Sequence, residues 1–277
     1  MRDNIIRSLR KQILLSAIAG GGGHVAPSYS ALEILWTLYG EGILKIHPQD
    51  PCWQERDRMI LSKGHAALAL YACLAYASFF EQEELWTFAK PESRLGGEPM
   101  IGIPGVEMAT GSLGHGLSYG VGTALGMKKK NISAETYVLV GDGECQEGSI
   151  WEAANTAAAL ALDNLTVILD WNNLQKMDFV DKIMGSPNWV MRWKSFGWQV
   201  IEVDGHDVDA LCAAFRVPHE AGKPKIILAH TIKGYGVSVM ENRVNWHYHI
   251  PNKRELKACM AELGISQEEI DYAKSLH

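Results

Sequence analysis

A chain of 277 residues, 47% hydrophobic and 21% charged, can bury the core of one sizeable α/β domain. Its net charge of −6 provides no basic field, which argues against nucleic acid as a partner. The cysteines Cys52, Cys73, Cys145, Cys212 and Cys259 are scattered and form no CxxC pair, so neither a disulfide framework nor a zinc site is expected and a reducing, cytoplasmic setting is.

Residues 3–19 carry the pattern of an amphipathic helix, stopped by the glycines at 20–23. Ser28 and Ser30 are candidate N-caps for a second helix over Ala31–Tyr39. Asp57-Arg-Met-Ile-Leu-Ser reads as a short buried strand. The longest apolar run, Ala66–Phe80, is too short to span a bilayer and reads as a buried helix. Met1–Arg7 lacks the apolar segment of a signal peptide, and no membrane association is expected. A loop-rich stretch, 91–104, precedes a glycine-studded helix start over Gly111–Gly126.

Thr136-Tyr-Val-Leu-Val-Gly and Leu165-Thr-Val-Ile-Leu-Asp read as strands joined by an Ala-rich helix, Ser149–Leu162. Trp198–Val203 and Lys225–His230 are further strands, with a helix over 208–219 between them. Strands alternating with helices predict an α/β fold: a doubly wound, mostly parallel sheet flanked by helices. Residues 1–250 form one domain in this reading. Residues 251–277 form a short helical C-terminal tail, in which Ser266 and Glu269 fit a capping box.

The first of the paired strands ends in Gly141-Asp142-Gly143-Glu144, and the second ends in Asp170-Trp171-Asn172-Asn173. A right-handed βαβ unit sets Asp142 and Asn172 side by side at the carboxyl ends of neighbouring strands, where open α/β sheets bind ligands. One carboxylate and one amide oxygen suit a hard cation such as Mg²⁺, whose shell is completed by phosphate oxygens and water. The flanking glycines let backbone approach a phosphate closely. A metal-bridged diphosphate is the natural ligand, and Gly-Asp-Gly followed at this distance by Asn resembles the thiamine diphosphate signature.

His24 in Gly-Gly-His-Val-Ala-Pro-Ser, His65 in Leu-Ser-Lys-Gly-His and His247 in Asn-Trp-His-Tyr-His sit in loop or junction contexts. Histidines near a diphosphate can donate to it or move a proton at a substrate hydroxyl. His206, in Asp-Gly-His-Asp, reads as a turn or cap residue. Glu147 and Glu152 flank the start of the crossover helix, where carboxylates ordinarily complement the dipole.

Taken together, Gly-His-Val-Ala-Pro-Ser, Asp-Arg-Met-Ile-Leu-Ser-Lys-Gly-His, Pro-Gly-Val-Glu-Met-Ala-Thr-Gly-Ser-Leu-Gly-His-Gly, Gly-Asp-Gly-Glu-Cys-Gln-Glu-Gly-Ser-Ile-Trp-Glu and Thr-Ile-Lys-Gly-Tyr-Gly resemble the N-terminal, thiamine diphosphate-binding region of transketolases over nearly the whole chain. The resemblance implies roles residue by residue. Asp142, Asn172 and the carbonyl of Leu174 correspond to ligands of Mg²⁺, or of another divalent cation such as Ca²⁺. Gly141 and Gly143 fall at the diphosphate. His65 and His247 line the diphosphate and thiazolium, and His24 meets substrate hydroxyls. Gly111 and Leu113 hold the aminopyrimidine through backbone. Glu147 and Glu152 fall at the subunit interface linking two active sites.

Two positions depart from the family pattern. Glu98 stands where a histidine that touches the donor sugar and aids proton transfer is usual, and is itself a candidate catalytic residue. His115 stands where Gln is common.

The glutamate that acts on the aminopyrimidine belongs, in transketolases, to a second domain. The resemblance therefore implies a partner chain carrying the pyrimidine-binding and C-terminal domains, in an α₂β₂ assembly acting on sugar phosphates. Two other readings stand beside it: a deoxyxylulose phosphate synthase-like or 2-oxoacid-decarboxylating enzyme component, and a non-catalytic cofactor-binding partner.

Overall fold

The computed structural model describes residues 2–185 and 187–277. Five parallel strands, β1 (Arg58–Leu61), β2 (Thr136–Gly141), β3 (Leu165–Trp171), β4 (Gln199–Asp204) and β5 (Lys225–His230), lie in the order β1-β2-β3-β5-β4. The helices in chain order are α1 (Arg2–Ala19), α2 (Val25–Gly40), α3 (Ala67–Tyr76), α4 (His115–Lys129), α5 (Gly148–Ala159), α6 (Val180–Met184), α7 (Trp189–Ser195), α8 (Val208–Arg216), α9 (Lys253–Leu263) and α10 (Gln267–Ser275).

Strand residues alternate between two cores. Val138, Val140, Val167, Leu169, Ile226 and Leu228 pack with α4, α5 and α7. Tyr137, Leu139, Ile168, Ile227 and Ala229 pack with α1, α2, α3 and α8. Helices on both faces bury the central strands except at the carboxyl ends of β3 and β5, which is why their middles read as apolar runs. Residues 67–75 of α3 are all buried, as befits a helix apolar on every side.

The second helix starts earlier than its caps suggested. It begins at Val25, and Ser28 and Ser30 lie inside it with Pro27 in the first turn, where a missing N–H costs no helical hydrogen bond. Ser30 is thereby freed to point at the sheet. The helix expected over 208–219 ends at Arg216, because Val217 precedes Pro218 and is driven to extended backbone.

Residues 253–275 form two helices, each opened by a full capping box, Asn252 with Glu255 and Ser266 with Glu269. Their buried Leu256, Cys259, Leu263, Ile270 and Ala273 join the same core as α1. Among the described residues no helix is long and apolar enough to cross a membrane.

Beyond the carboxyl edge the chain diverges. It leaves β2 and β3 toward the α5 and α7 face, and leaves β1 and β5 toward the α2 and α3 face. That divergence opens a crevice over β1, β2, β3 and β5.

Candidate active site

The crevice holds a cavity of about 270 Å³. Lys63 and His65 reach it from β1, Asp142 and Gly143 from β2, Asn172 and Leu174 from β3, and Lys233 and His247 from the segment after β5.

Its floor is built on Asp170, whose carboxylate is fully buried. Asp170 accepts from Lys63 Nζ, from Thr231 Oγ1, from Ser30 Oγ at 2.7 Å and from Asn172 Nδ2 at 3.4 Å. Burial alone would raise its pKa. The Lys63 charge and the donors from Lys63, Thr231 and Ser30 outweigh that and hold it below the usual carboxylate range. Ser30 Oγ also accepts from Asn172 Nδ2 at 3.0 Å. The amide nitrogen of Asn172 is thus committed downward, and its oxygen, which accepts from Leu174 N at 3.0 Å, stays at the cavity.

Asp142 is almost fully buried above this floor. One oxygen accepts from Gly143 N at 2.7 Å and the other from Asn173 N. Burial and then the Asp170 charge push its pKa up to about 6, against those two hydrogen bonds and the Lys63 charge. A buried carboxylate short of compensation is a natural partner for a cation. Among the described residues no cluster of three or more His, Cys, Asp or Glu side chains could hold a metal. Asp142, Asn172 and Leu174 instead line the cavity together, and a carboxylate, an amide and a main-chain carbonyl are donor types suited to Mg²⁺ rather than to zinc.

A second buried carboxylate, Glu144, ties the cavity wall together. It accepts from Gly114 N at 2.8 Å and Gly141 N at 3.0 Å, and also from Ser62 Oγ at 2.5 Å. Gly114 sits at φ +88°, where a Cβ would strike Ser149 and Glu147. This clamp fixes Leu113, one residue earlier, against the end of β2.

Three imidazoles cluster over the cavity mouth. The ring centroids of His24, His65 and His247 stand 5.7, 5.2 and 5.2 Å apart. Burial, and next the Lys233 charge, lower His24 to about 4 and His247 to about 3. Burial and then Lys63 hold His65 well below its ordinary value. All three are neutral at pH 7, each with one donor and one acceptor nitrogen.

Lys233 Nζ faces three acceptors: Leu174 O at 3.1 Å, Gln175 O at 3.2 Å and His247 Nδ1 at 2.9 Å. These match the three N–H groups of an ammonium. Burial and the Lys63 charge bring Lys233 down to about 7, against Asp142 and Asp170.

Residues 2–274 match the family described as transketolase, thiamine diphosphate binding domain. The chain belongs to the transketolase family. One of the subunits of the apulose-4-phosphate transketolase of Phocaeicola vulgatus is 37% identical, over 95% of this chain and 93% of that one. The 6-deoxy-6-sulfo-D-fructose transketolase subunit SqwG of a Clostridium species is 39% identical, over 94% of each. The crystal structure of Campylobacter jejuni transketolase superposes with a TM-score of 0.85 at 30% identity, covering 98% of this chain and 46% of that one. The chain thus spans nearly the full length of the first two relatives, both named as subunits, and under half of the Campylobacter transketolase chain. The expected parallel α/β architecture is that of this family.

Set against the family reading, Asp142, Asn172, Leu174, Gly141, Gly143, Leu113, His65, His247 and Glu147 all line the cavity. His24 lies beside it in the imidazole cluster. Gly111, at φ +140°, abuts Gly64, just ahead of His65, and a Cβ on it would meet the Glu98 side chain. Glu98 is half-buried there, held by Tyr71 Oη, which donates to its main-chain oxygen at 3.0 Å. Glu152 is exposed on α5, away from the cavity lining, and His115 is exposed at the start of α4.

Sequence reasoning passed over Lys63, Lys233, Glu144 and Asp170. Their signal was present: both lysines stand in Lys-Gly pairs just past strand ends, within motifs already singled out. His206 is more than a turn residue, since its ring is buried between Glu33 and Ile232. The actual cap of α8 is Asp207, which accepts from Asp209 N and Ala210 N.

Proposed function

We propose that the chain is the diphosphate-binding half of a two-chain transketolase. It would move a two-carbon ketol unit from a ketose phosphate to an aldose phosphate, once joined by a second polypeptide carrying the pyrimidine-binding and C-terminal domains, as an α₂β₂ assembly. The observation that carries this reading is the stack of layers at the crevice: an oxygen donor set at Asp142, Asn172 and Leu174, lysines at 63 and 233, and neutral imidazoles above. The match to relatives named as single subunits, along nearly their whole length, supports a separate second chain.

Asp142, the Asn172 amide oxygen and the Leu174 carbonyl would hold Mg²⁺, or Ca²⁺ in its place. Because Leu174 O already accepts from Lys233, cation and ammonium would share that oxygen. Lys63, Lys233 and the backbone at Gly143 would balance and seat the diphosphate. Thiamine diphosphate, when bound, supplies the electron sink for C–C cleavage.

The protein groups do the rest. With Nδ1 accepting from Lys233, His247 carries its hydrogen on Nε2 and would donate it to a substrate oxygen. His24, neutral and beside it, would relay protons at the neighbouring hydroxyl. Glu147 and Glu152, exposed and without an ion-pair partner among the described residues, would meet the partner chain or the second copy.

The test is to capture the partner with the tagged chain, Mg²⁺ and thiamine diphosphate, then assay the pair on a panel of ketose phosphates that includes branched and sulfonated ketoses. Ketol transfer by the pair and not by the chain alone supports the reading. Decarboxylation of a 2-oxoacid without transfer, or cofactor binding with no turnover, would replace it by one of its rivals.

A further inference from the structure

We infer that Glu33 and His206 are positioning residues that set Lys233, and through it His247, in the cavity. The inference rests on the proposal that Lys233 faces the diphosphate.

Residues 231–236 belong to no helix or strand, and both glycines among them, Gly234 and Gly236, have positive φ. A segment of this kind orders only where something outside it takes its main-chain groups. Here Lys233 is bracketed. On one side Ile232 N donates to His206 Nε2 at 2.8 Å. On the other, Arg10 Nε donates to Tyr235 O at 3.0 Å. The His206 ring stacks on the Tyr235 ring with centroids 3.6 Å apart. Behind both anchors stands Glu33, which pairs with Arg10 through Oε1 and accepts from His206 Nδ1 at 3.0 Å through Oε2.

The hydrogen on His206 follows from these partners. A main-chain N–H can only donate, so His206 Nε2 accepts and the ring hydrogen sits on Nδ1, directed at Glu33. The carboxylate therefore selects the tautomer that offers Ile232 an acceptor. Without it the ring could carry its hydrogen on Nε2 and repel the amide.

Stability alone does not account for this arrangement. Arg10 and Glu33 are 9% and 4% exposed at the side chain, and His206 is 7% exposed. Burying such a charged pair contributes little net stability compared with apolar residues of similar volume. What the group does supply is a fixed path for the main chain on both sides of Lys233. Displacing a binding group by about 1 Å can cost on the order of a hundredfold in rate.

Two substitutions of one residue separate positioning from simple support. The amide of Gln in His206→Gln reaches where Nε2 was and can accept from Ile232 N. The shorter amide of His206→Asn reaches only Nδ1 and cannot.

In the full chain, hydrogen exchange of peptides covering 231–236 is expected to accelerate about fivefold or more in His206→Asn and to stay near the parent rate in His206→Gln. Peptides covering β5 (225–230) should be unchanged in both. In the assembled complex, the dissociation constant of thiamine diphosphate with Mg²⁺ should rise about fivefold in His206→Asn only, the scale of one lost main-chain hydrogen bond.

Unchanged exchange at 231–236 in His206→Asn would overturn the inference, as would equal acceleration in β5 or equal loss of cofactor by both variants. Lys233→Met is the control. An unaltered dissociation constant there would remove the diphosphate from Lys233 and overturn the coupling to the cavity, while the exchange rates would still decide whether His206 holds the loop.

Discussion

Lys233 Nζ donates to His247 Nδ1 at 2.9 Å, and that contact determines which nitrogen of His247 faces the open cavity. In its charged form Lys233 thereby does two things at once: it places charge beside the proposed cation site and leaves the imidazole with Nε2–H available.

Replacing Lys233 with Met should therefore harm binding and turnover together. Hydrogen bonds to charged groups contribute ~1.5–3 kcal/mol, so thiamine diphosphate affinity should fall roughly ten- to a hundredfold. Turnover at saturating cofactor should fall further, because His247 is free to take the other tautomer. Titration calorimetry and steady-state kinetics on the assembled complex separate the two effects. A loss confined to affinity would detach Lys233 from the orientation of His247.

Asp142→Ala removes the only charged oxygen donor of the proposed cation site. The expected result is loss of the Mg²⁺-dependent part of thiamine diphosphate binding, read by calorimetry with and without a chelator. The variant should still fold, because Asp142 has no side-chain hydrogen-bond partner among the described residues and its burial already disfavours its charge. Cofactor affinity equal to the parent's at every Mg²⁺ concentration would take Asp142 out of the site.

Acid should destabilise the folded chain through its imidazole cluster. His24 and His247 titrate in the folded state near 4 and 3, and His65 also lies well below its ordinary value. Unfolded histidine titrates near ~6.5. Between ~6.5 and those folded values the unfolded chain takes up protons that the folded chain refuses, so stability present above ~6.5 is lost as the pH falls through that window. Asp142 acts in the opposite sense. Its folded value of about 6 exceeds the ~3.9 of an unfolded carboxylate, so its protonation favours the folded state as the pH drops through 6. Asp57, Glu107 and Glu144 are also raised by burial and act with Asp142, whereas Asp170 is held low and acts with the histidines, so the share of the imidazole cluster is read from the difference between the parent and a histidine variant. Thermal melts from pH 7 to pH 4.5 should show a shallower fall in Tm for His24→Asn than for the parent, and equal pH dependence in the two would refute a neutral cluster.

The parts of this molecule that a linear reading recovers are those whose cause is local. β2 and β3 announce themselves because parallel strands covered on both faces are apolar through their middles. Gly141-Asp142-Gly143 and Asn172 announce a site because their spacing is that of one βαβ unit. Where the cause is distant, the reading goes astray. Ser30 looks like a cap, and only the fold reveals that α2 starts at Val25 and aims the serine at Asp170, 140 residues away. Lysines are ordinarily surface residues. Lys63 and Lys233 are about 2% exposed because Asp170, 107 residues from Lys63, and the carbonyls of Leu174 and Gln175 await them. The short helices α6 and α7 left no periodic trace either. Trp189 and Trp193 of α7 are instead anchored in the core beneath α5.

Glu98, which stands where the family pattern has a histidine, is the position expected to bear on the choice of donor sugar. Its main-chain oxygen is fixed by Tyr71, so a substitution changes the side chain without moving the backbone. That side chain lies over Gly111, which in turn abuts Gly64, the residue before His65. A carboxylate there only accepts hydrogen bonds, whereas an imidazole also donates. Glu98→His should therefore leave thiamine diphosphate affinity within about twofold, since Glu98 is not among the residues that line the cavity proposed for the diphosphate. It should change the ratio of kcat/KM between two ketose phosphate donors by tenfold or more, as expected when a polar partner of a substrate hydroxyl is exchanged. Kinetics on a donor panel with the assembled complex decide the matter. Equal ratios before and after the change would place Glu98 outside the donor site, and a large loss of cofactor affinity would place it instead at the aminopyrimidine, beside Gly111.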